Sequence, residues 1–168
     1  RGCGYGVPTE EPLHKLSIGK SEVIREGKDI AIIACGSTVY PSVAAAEALS
    51  KEGKEAAVIN MRFIKPLDDA LLKRIALTAC NILTVEENVL SGGLGSRVSQ
   101  ALHNTDIPGI KVKSIGINDE YTTHGPQDIL RRNYHLDSEG ILSHARLMLE
   151  DAADRFTCGE SEPHLSRG

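Results

Sequence analysis

The chain has 168 residues, 40% of them hydrophobic, 25% charged, with a net charge of -4. That is enough for one domain with its own core, and there is no basic excess to attract nucleic acid. Two Phe, four Tyr and no Trp leave no base-stacking platform.

Residues 21–25 read as a short strand, and Glu26-Gly27-Lys28 as a turn into the continuous apolar run 30–35. The pair is expected to form a hairpin. Pro41 is expected to open a helix whose buried stripe is Val43, Ala44, Ala45, Ala48 and Leu49, with Gly53 past its end. Residues 56–61 give the next strand. Asp68 then caps a helix that buries Leu71, Leu72, Ile75 and Ala76. Residues 81–85 and 110–115 are further strands, separated by a helix over 96–103. A short helix starts near Pro126. The last helix is capped by Asp137 and carries Ile141, Leu142, Ala145, Leu149 and Ala152 on its apolar face.

Strands alternating with helices predict an α/β fold: a three-layer α/β/α sandwich around a mostly parallel five-stranded sheet. The strand 21–25 adds one antiparallel edge. The expected division is a linker over 1–17, the domain over 18–156 and a loose tail over 157–168. No run of about 18 apolar residues is present, so no membrane span is expected. Cys3, Cys35, Cys80 and Cys158 are scattered without a CxxC pair, which excludes a zinc pattern. Cys35 and Cys80 read as small core residues in a reduced, cytosolic setting.

The candidate chemistry clusters late in the chain. Ser91-Gly92-Gly93-Leu94-Gly95-Ser96 follows a strand and precedes a helix, the arrangement that cradles phosphates. Val98 stands where the third fingerprint glycine belongs, and no Lys-Ser/Thr ending follows. The loop therefore reads as a strand-to-helix turn. Glu86 and Glu87 end the strand before it and point to opposite faces. One is expected to be buried against an arginine or loop backbone, the other solvated. Arg62 is the expected partner of one of them, and Lys65 and Arg1 are the other cations of interest. His124 sits in a loop before a glycine. No HExxH, no GxSxG elbow and no base beside Cys35 are present, so no catalytic set is complete.

"IGKSEVIREG", "MRFIKPLD", "VEENVLSGGLGS" and "HGPQDILRRNYHLDSEGI" together resemble the C-terminal domain of the transketolase-like thiamine diphosphate enzymes. The last of these pieces resembles the deoxyxylulose-phosphate synthases within that family. The C-terminal domains of 2-oxo acid dehydrogenase β-subunits and of transketolases are similar too. The resemblance implies a third domain, packed on a pyrimidine-binding domain and supporting a homodimer. It implies that thiamine diphosphate and Mg²⁺ belong to the diphosphate- and pyrimidine-binding domains, so that this chain binds no cofactor or metal and has no catalytic residue of its own. It implies condensation of pyruvate with glyceraldehyde 3-phosphate by the full enzyme, and none by this domain alone. "RGCGYGV" is similar to the family's interdomain linker, which makes Arg1 the expected ligand of the substrate phosphate. Cys3 stands where that linker usually has Asn. No membrane or nucleic-acid partner is implied. Outside the family, a stand-alone nucleotide- or flavin-binding module would need the 91–96 loop to hold phosphate.

Overall fold

A computed structural model describes residues 15–157, with side chains as far as Asp151. Arg1, Cys3, His14, Ala152, Cys158 and His164 lie outside these described parts. The elements run β1 (Glu22–Arg25), β2 (Ile30–Ala34), α1 (Val39–Lys51), β3 (Ala56–Asn60), α2 (Asp69–Thr78), β4 (Asn81–Val89), α3 (Leu94–His103), β5 (Lys111–Ile117), α4 (Gln127–Asn133) and α5 (Ser138–Thr157). The strands form one sheet in the order β1-β3-β2-β4-β5. Only the β1–β3 pair is antiparallel; β2, β3, β4 and β5 run together.

Burial on both faces explains the unbroken apolar runs. Ile30, Ile32, Leu83 and Val85 point to one side, into a core shared with Ala45, Leu49, Ile141 and Met148. Ala31, Ile33 and Ile82 point to the other, against Leu72, Ile75, Leu94 and Val98. α1 and α5 thus cover one face, and α2 and α3 the other.

The expected hairpin does not form. β1 lies at the edge, as expected, but pairs with β3, with Glu22 opposite Asn60. The link 26–29 passes over the start of β3 and continues to β2 beyond it. Two strand spacings are about 10 Å, within reach of a link that long. The crossing is tight: a Cβ on Gly27 would lie 2.3 Å from the Ala56 and Ala57 backbone. Lys28 and Asp29 donate their N–H groups to Glu55 O, both at 3.0 Å, which anchors the chain as it passes.

Helix α1 begins at Val39, with Pro41 inside its first turn. Its buried positions include Ser42, Ala45, Ala46 and Leu49, whereas Ala44 is exposed. A helix with alanine on several sides carries little phase information. Met148 likewise joins the core from α5, with Leu142 and Leu149 only partly buried. Cys80 is exposed rather than a core residue.

Both expected caps are present. Asp137 accepts from Gly140 N at 3.0 Å. Asp68 accepts from Leu71 N at the start of α2, and also from Ser21 N and Lys20 Nζ. It therefore ties the segment before β1 to the helix after β3. Burial pushes the Asp68 carboxyl up, but these donors outweigh it and hold it below its ordinary value. The stabilisation is complete above the unfolded pKa and is lost as pH falls through the lower folded one. Asp68→Asn is expected to cost about 1 kcal/mol at neutral pH. Urea midpoints of the variant and the parent are expected to converge below about pH 4.

Candidate functional site at the switch point of the sheet

From β2 the chain first moves to β3 on one side, then crosses to β4 on the other. The carboxyl ends of β2 and β4 therefore flank the point where the winding reverses. Open α/β sheets place their sites outside the strand ends at such a point. The loop after β2 turns at Gly36, whose φ of +63° is left-handed. Thr38 Oγ1 lies 2.9 Å from Cys35 O and 3.0 Å from Val85 O, so its hydroxyl ties this loop to β4.

Strand alternation separates the two acids. Glu86 shares the α3 face with Thr84 and is fully buried. Its carboxylate accepts from Leu94 N at 2.7 Å and Gly95 N at 2.9 Å, the first amides of α3. An anion at a helix N-terminus satisfies donors the helix leaves open and suits its dipole. Glu87 faces the other way and accepts from Arg131 Nε of α4. Burial pushes the Glu87 carboxyl up, but Arg131 and the nearby Ser37 hydroxyl outweigh it, and it sits below the ordinary range.

One acid was expected to be buried against an arginine or loop backbone, and Glu86 meets that; the other was expected to be solvated, but Glu87 is partly buried and paired with Arg131. The expected Arg62 pairing is not formed. Arg62 follows β3 with φ +51° and bonds Glu22 of β1 at 2.5 Å. β3 is separated from β4 by β2, which puts Arg62 two strands away from Glu86. The pair it does make is solvent-facing, so Arg62→Ala is expected to shift stability by less than about 1 kcal/mol in urea unfolding. Lys65 is exposed, and His124 lies in an exposed loop after β5. The Cys35 thiol is pushed up to about 11 by burial and then by Glu86 and Glu87, which removes it as a nucleophile. Arg131, Ser37 and Thr38 were not singled out from sequence. Arg131 meets Glu87 across 44 residues, and no local pattern marks such a contact.

The glycine loop is closed by its own residues. Gly92 N donates to Ser96 Oγ at 3.1 Å, and that hydroxyl donates to Leu90 O at 2.7 Å. A Cβ on Gly93 would lie 2.3 Å from Glu86 Oε2, and one on Gly95 2.2 Å from Ser114 Oγ. The glycines thus admit Glu86 beneath the loop and α3 against the sheet. The amides that would cradle a phosphate already hold a carboxylate. Among the described residues no group of three or more His, Cys, Asp or Glu side chains converges to hold a metal ion. No helix among them is long and apolar enough to cross a membrane.

The sequence pattern of the family described as "Transketolase, C-terminal domain" matches residues 19–141. The chain belongs to the transketolase C-terminal domain family. A 1-deoxy-D-xylulose-5-phosphate synthase 1 of Geobacter metallireducens is 46% identical over 150 residues, 89% of this chain and 24% of that protein. The 1-deoxy-D-xylulose-5-phosphate synthase of Halothermothrix orenii is 42% identical over 154 residues, 92% of this chain and 24% of that protein. A solved structure described as "Split gene transketolase, inactive beta4 tetramer" superposes with a TM-score of 0.78 at 34% identity, covering 86% of this chain and 47% of that one. The chain thus spans about a quarter of the length of these synthases. Within this transketolase C-terminal domain, Glu86 and the glycine loop form an internal brace between β4 and α3.

Proposed function

We propose that this chain is the third domain of a 1-deoxy-D-xylulose-5-phosphate synthase, where it serves as a structural, dimer-supporting unit. The observation that carries the reading is the 46% identity to such a synthase over 89% of the chain. The full enzyme would condense pyruvate with glyceraldehyde 3-phosphate, with thiamine diphosphate supplying the carbanion chemistry. The described residues do not fit that cofactor: the loop amides are filled by Glu86 and no side-chain group fits Mg²⁺. The cofactor is therefore assigned to the two other domains. Arg1 is assigned to the substrate phosphate, because a guanidinium fork matches phosphate oxygens.

The test is a chimera in which this chain replaces the third domain of the Geobacter metallireducens synthase. The chimera is expected to be active and the 168-residue chain inactive. Arg1→Ala in the chimera is expected to raise KM for glyceraldehyde 3-phosphate more than KM for pyruvate. A folded, dimeric but inactive chimera, or turnover by the chain alone, would overturn the reading.

A further inference from the structure

The segment after β5 is built differently from the rest of the domain. Residues 118–129 are all exposed, and 118–126 form no helix or strand. Tyr121 is fully exposed and Ile129 is 46% exposed. A stretch that touches so little of its own domain is nonetheless held at both ends. Leu90 N donates to Ile117 O at 2.9 Å just before it, and Arg131 bonds Glu87 just after it. The Tyr134 hydroxyl also meets Glu120 within it. This is an arm held at both ends whose side chains face solvent.

The arm is not alone at its end of the sheet. Leu16, Ile18, Tyr40 and Val89 are also exposed, and each precedes β1 or lies at or just past the carboxyl end of a parallel strand. Of the other exposed large apolar side chains, Ile24 lies on the edge strand β1, Leu77 in the last turn of α2, at the opposite end, and Leu147 on α5. Apolar exposure concentrated on one end marks a contact surface. The described chain also comes in at this end, because Glu22, first in β1, is opposite Asn60, last in β3. In the synthases three-quarters of the length lies outside the matched part, and this family is the C-terminal domain, so that remainder precedes it.

We infer that the carboxyl end of the sheet, with the arm 118–129 as its main contact, is the face on which the preceding domain of the same polypeptide docks. This rests on the reading of the chain as the third domain. Tyr121 and Ile129 supply apolar contact, and His124 is brought to the boundary between domains rather than to a site within this one.

The experiment compares amide hydrogen exchange of the isolated chain with that of the chimera described above. Amides of 118–126 are expected to exchange about tenfold more slowly in the chimera. The double variant Tyr121→Ser, Ile129→Lys is expected to leave the melting temperature of the isolated chain unchanged, since neither side chain is buried. In the chimera it is expected to lower the melting temperature and erase the protection, whereas Leu77→Lys at the opposite end does neither. Equal exchange in chain and chimera, or a double-variant chimera as protected as its parent, would overturn the inference. Protection already present in concentrated isolated chain would overturn it too, by making a second copy the occupant. An inactive chimera that still protects 118–126 sinks the synthase reading and leaves the docking face standing.

Discussion

Replacing Glu86 by alanine is expected to cost the fold about 3 kcal/mol, read as a fall of roughly 10 °C in melting temperature. The carboxylate is fully buried and takes the Leu94 and Gly95 amides at 2.7 and 2.9 Å. Truncation strands two donors under a loop that Ser96 has already closed. It also removes the negative charge that suits the helix terminus. Glu86→Gln keeps one oxygen but turns an NH₂ toward the second amide, so its expected cost is smaller, about 1–2 kcal/mol. Glu87→Ala, at the adjacent but partly exposed residue, lacks this burden and is expected to cost less than Glu86→Ala. Equal losses for the two, measured by urea unfolding, would show that the brace under α3 is not what makes Glu86 matter.

Gly93→Ala is expected to be nearly as damaging, by about 2–3 kcal/mol, and for a purely steric reason. Gly93 has φ -79°, which any residue adopts, so backbone strain is not at issue. The new Cβ would instead sit 2.3 Å from Glu86 Oε2 and 2.7 Å from its Oε1 and Cδ. The obstacle is a side chain held by two hydrogen bonds, so it cannot swing aside cheaply. The two substitutions are therefore coupled. Once Glu86 is alanine the obstruction is gone, and Gly93→Ala is expected to add less than about 1 kcal/mol. Asp68→Asn, which shares no partner with Glu86, is expected to add in full. Additive losses for Glu86→Ala and Gly93→Ala would show that the loop does not rest on that carboxylate.

Much of this architecture is legible in the sequence because it depends on local pattern. The apolar runs at 30–35, 56–61 and 81–85 and the caps at Asp68 and Asp137 mark strands and helices by composition and spacing alone. Pairing is another matter. The short link after β1 speaks for a hairpin, and only the close passage of Gly27 over the start of β3 reveals that another strand lies between. Arg62 fails as a partner of the acids for the same reason: strand order decides which strand ends are neighbours. The phase of α1 is hidden by its alanines. At the site, the glycines and Glu86 stand within ten residues of one another, so their partnership leaves a local trace. Arg131 and Glu87 leave none.

The seat of Glu86 under the glycine loop has a consequence for the chain's chemical company. A helix terminus of this kind normally attracts whatever phosphorylated metabolite is abundant. Here the protein carries its own competitor, tethered and present in every copy, so free anions in solution meet an occupied seat. A domain proposed to serve an enzyme with a phosphorylated substrate is thereby kept from sequestering that substrate away from the place where it reacts.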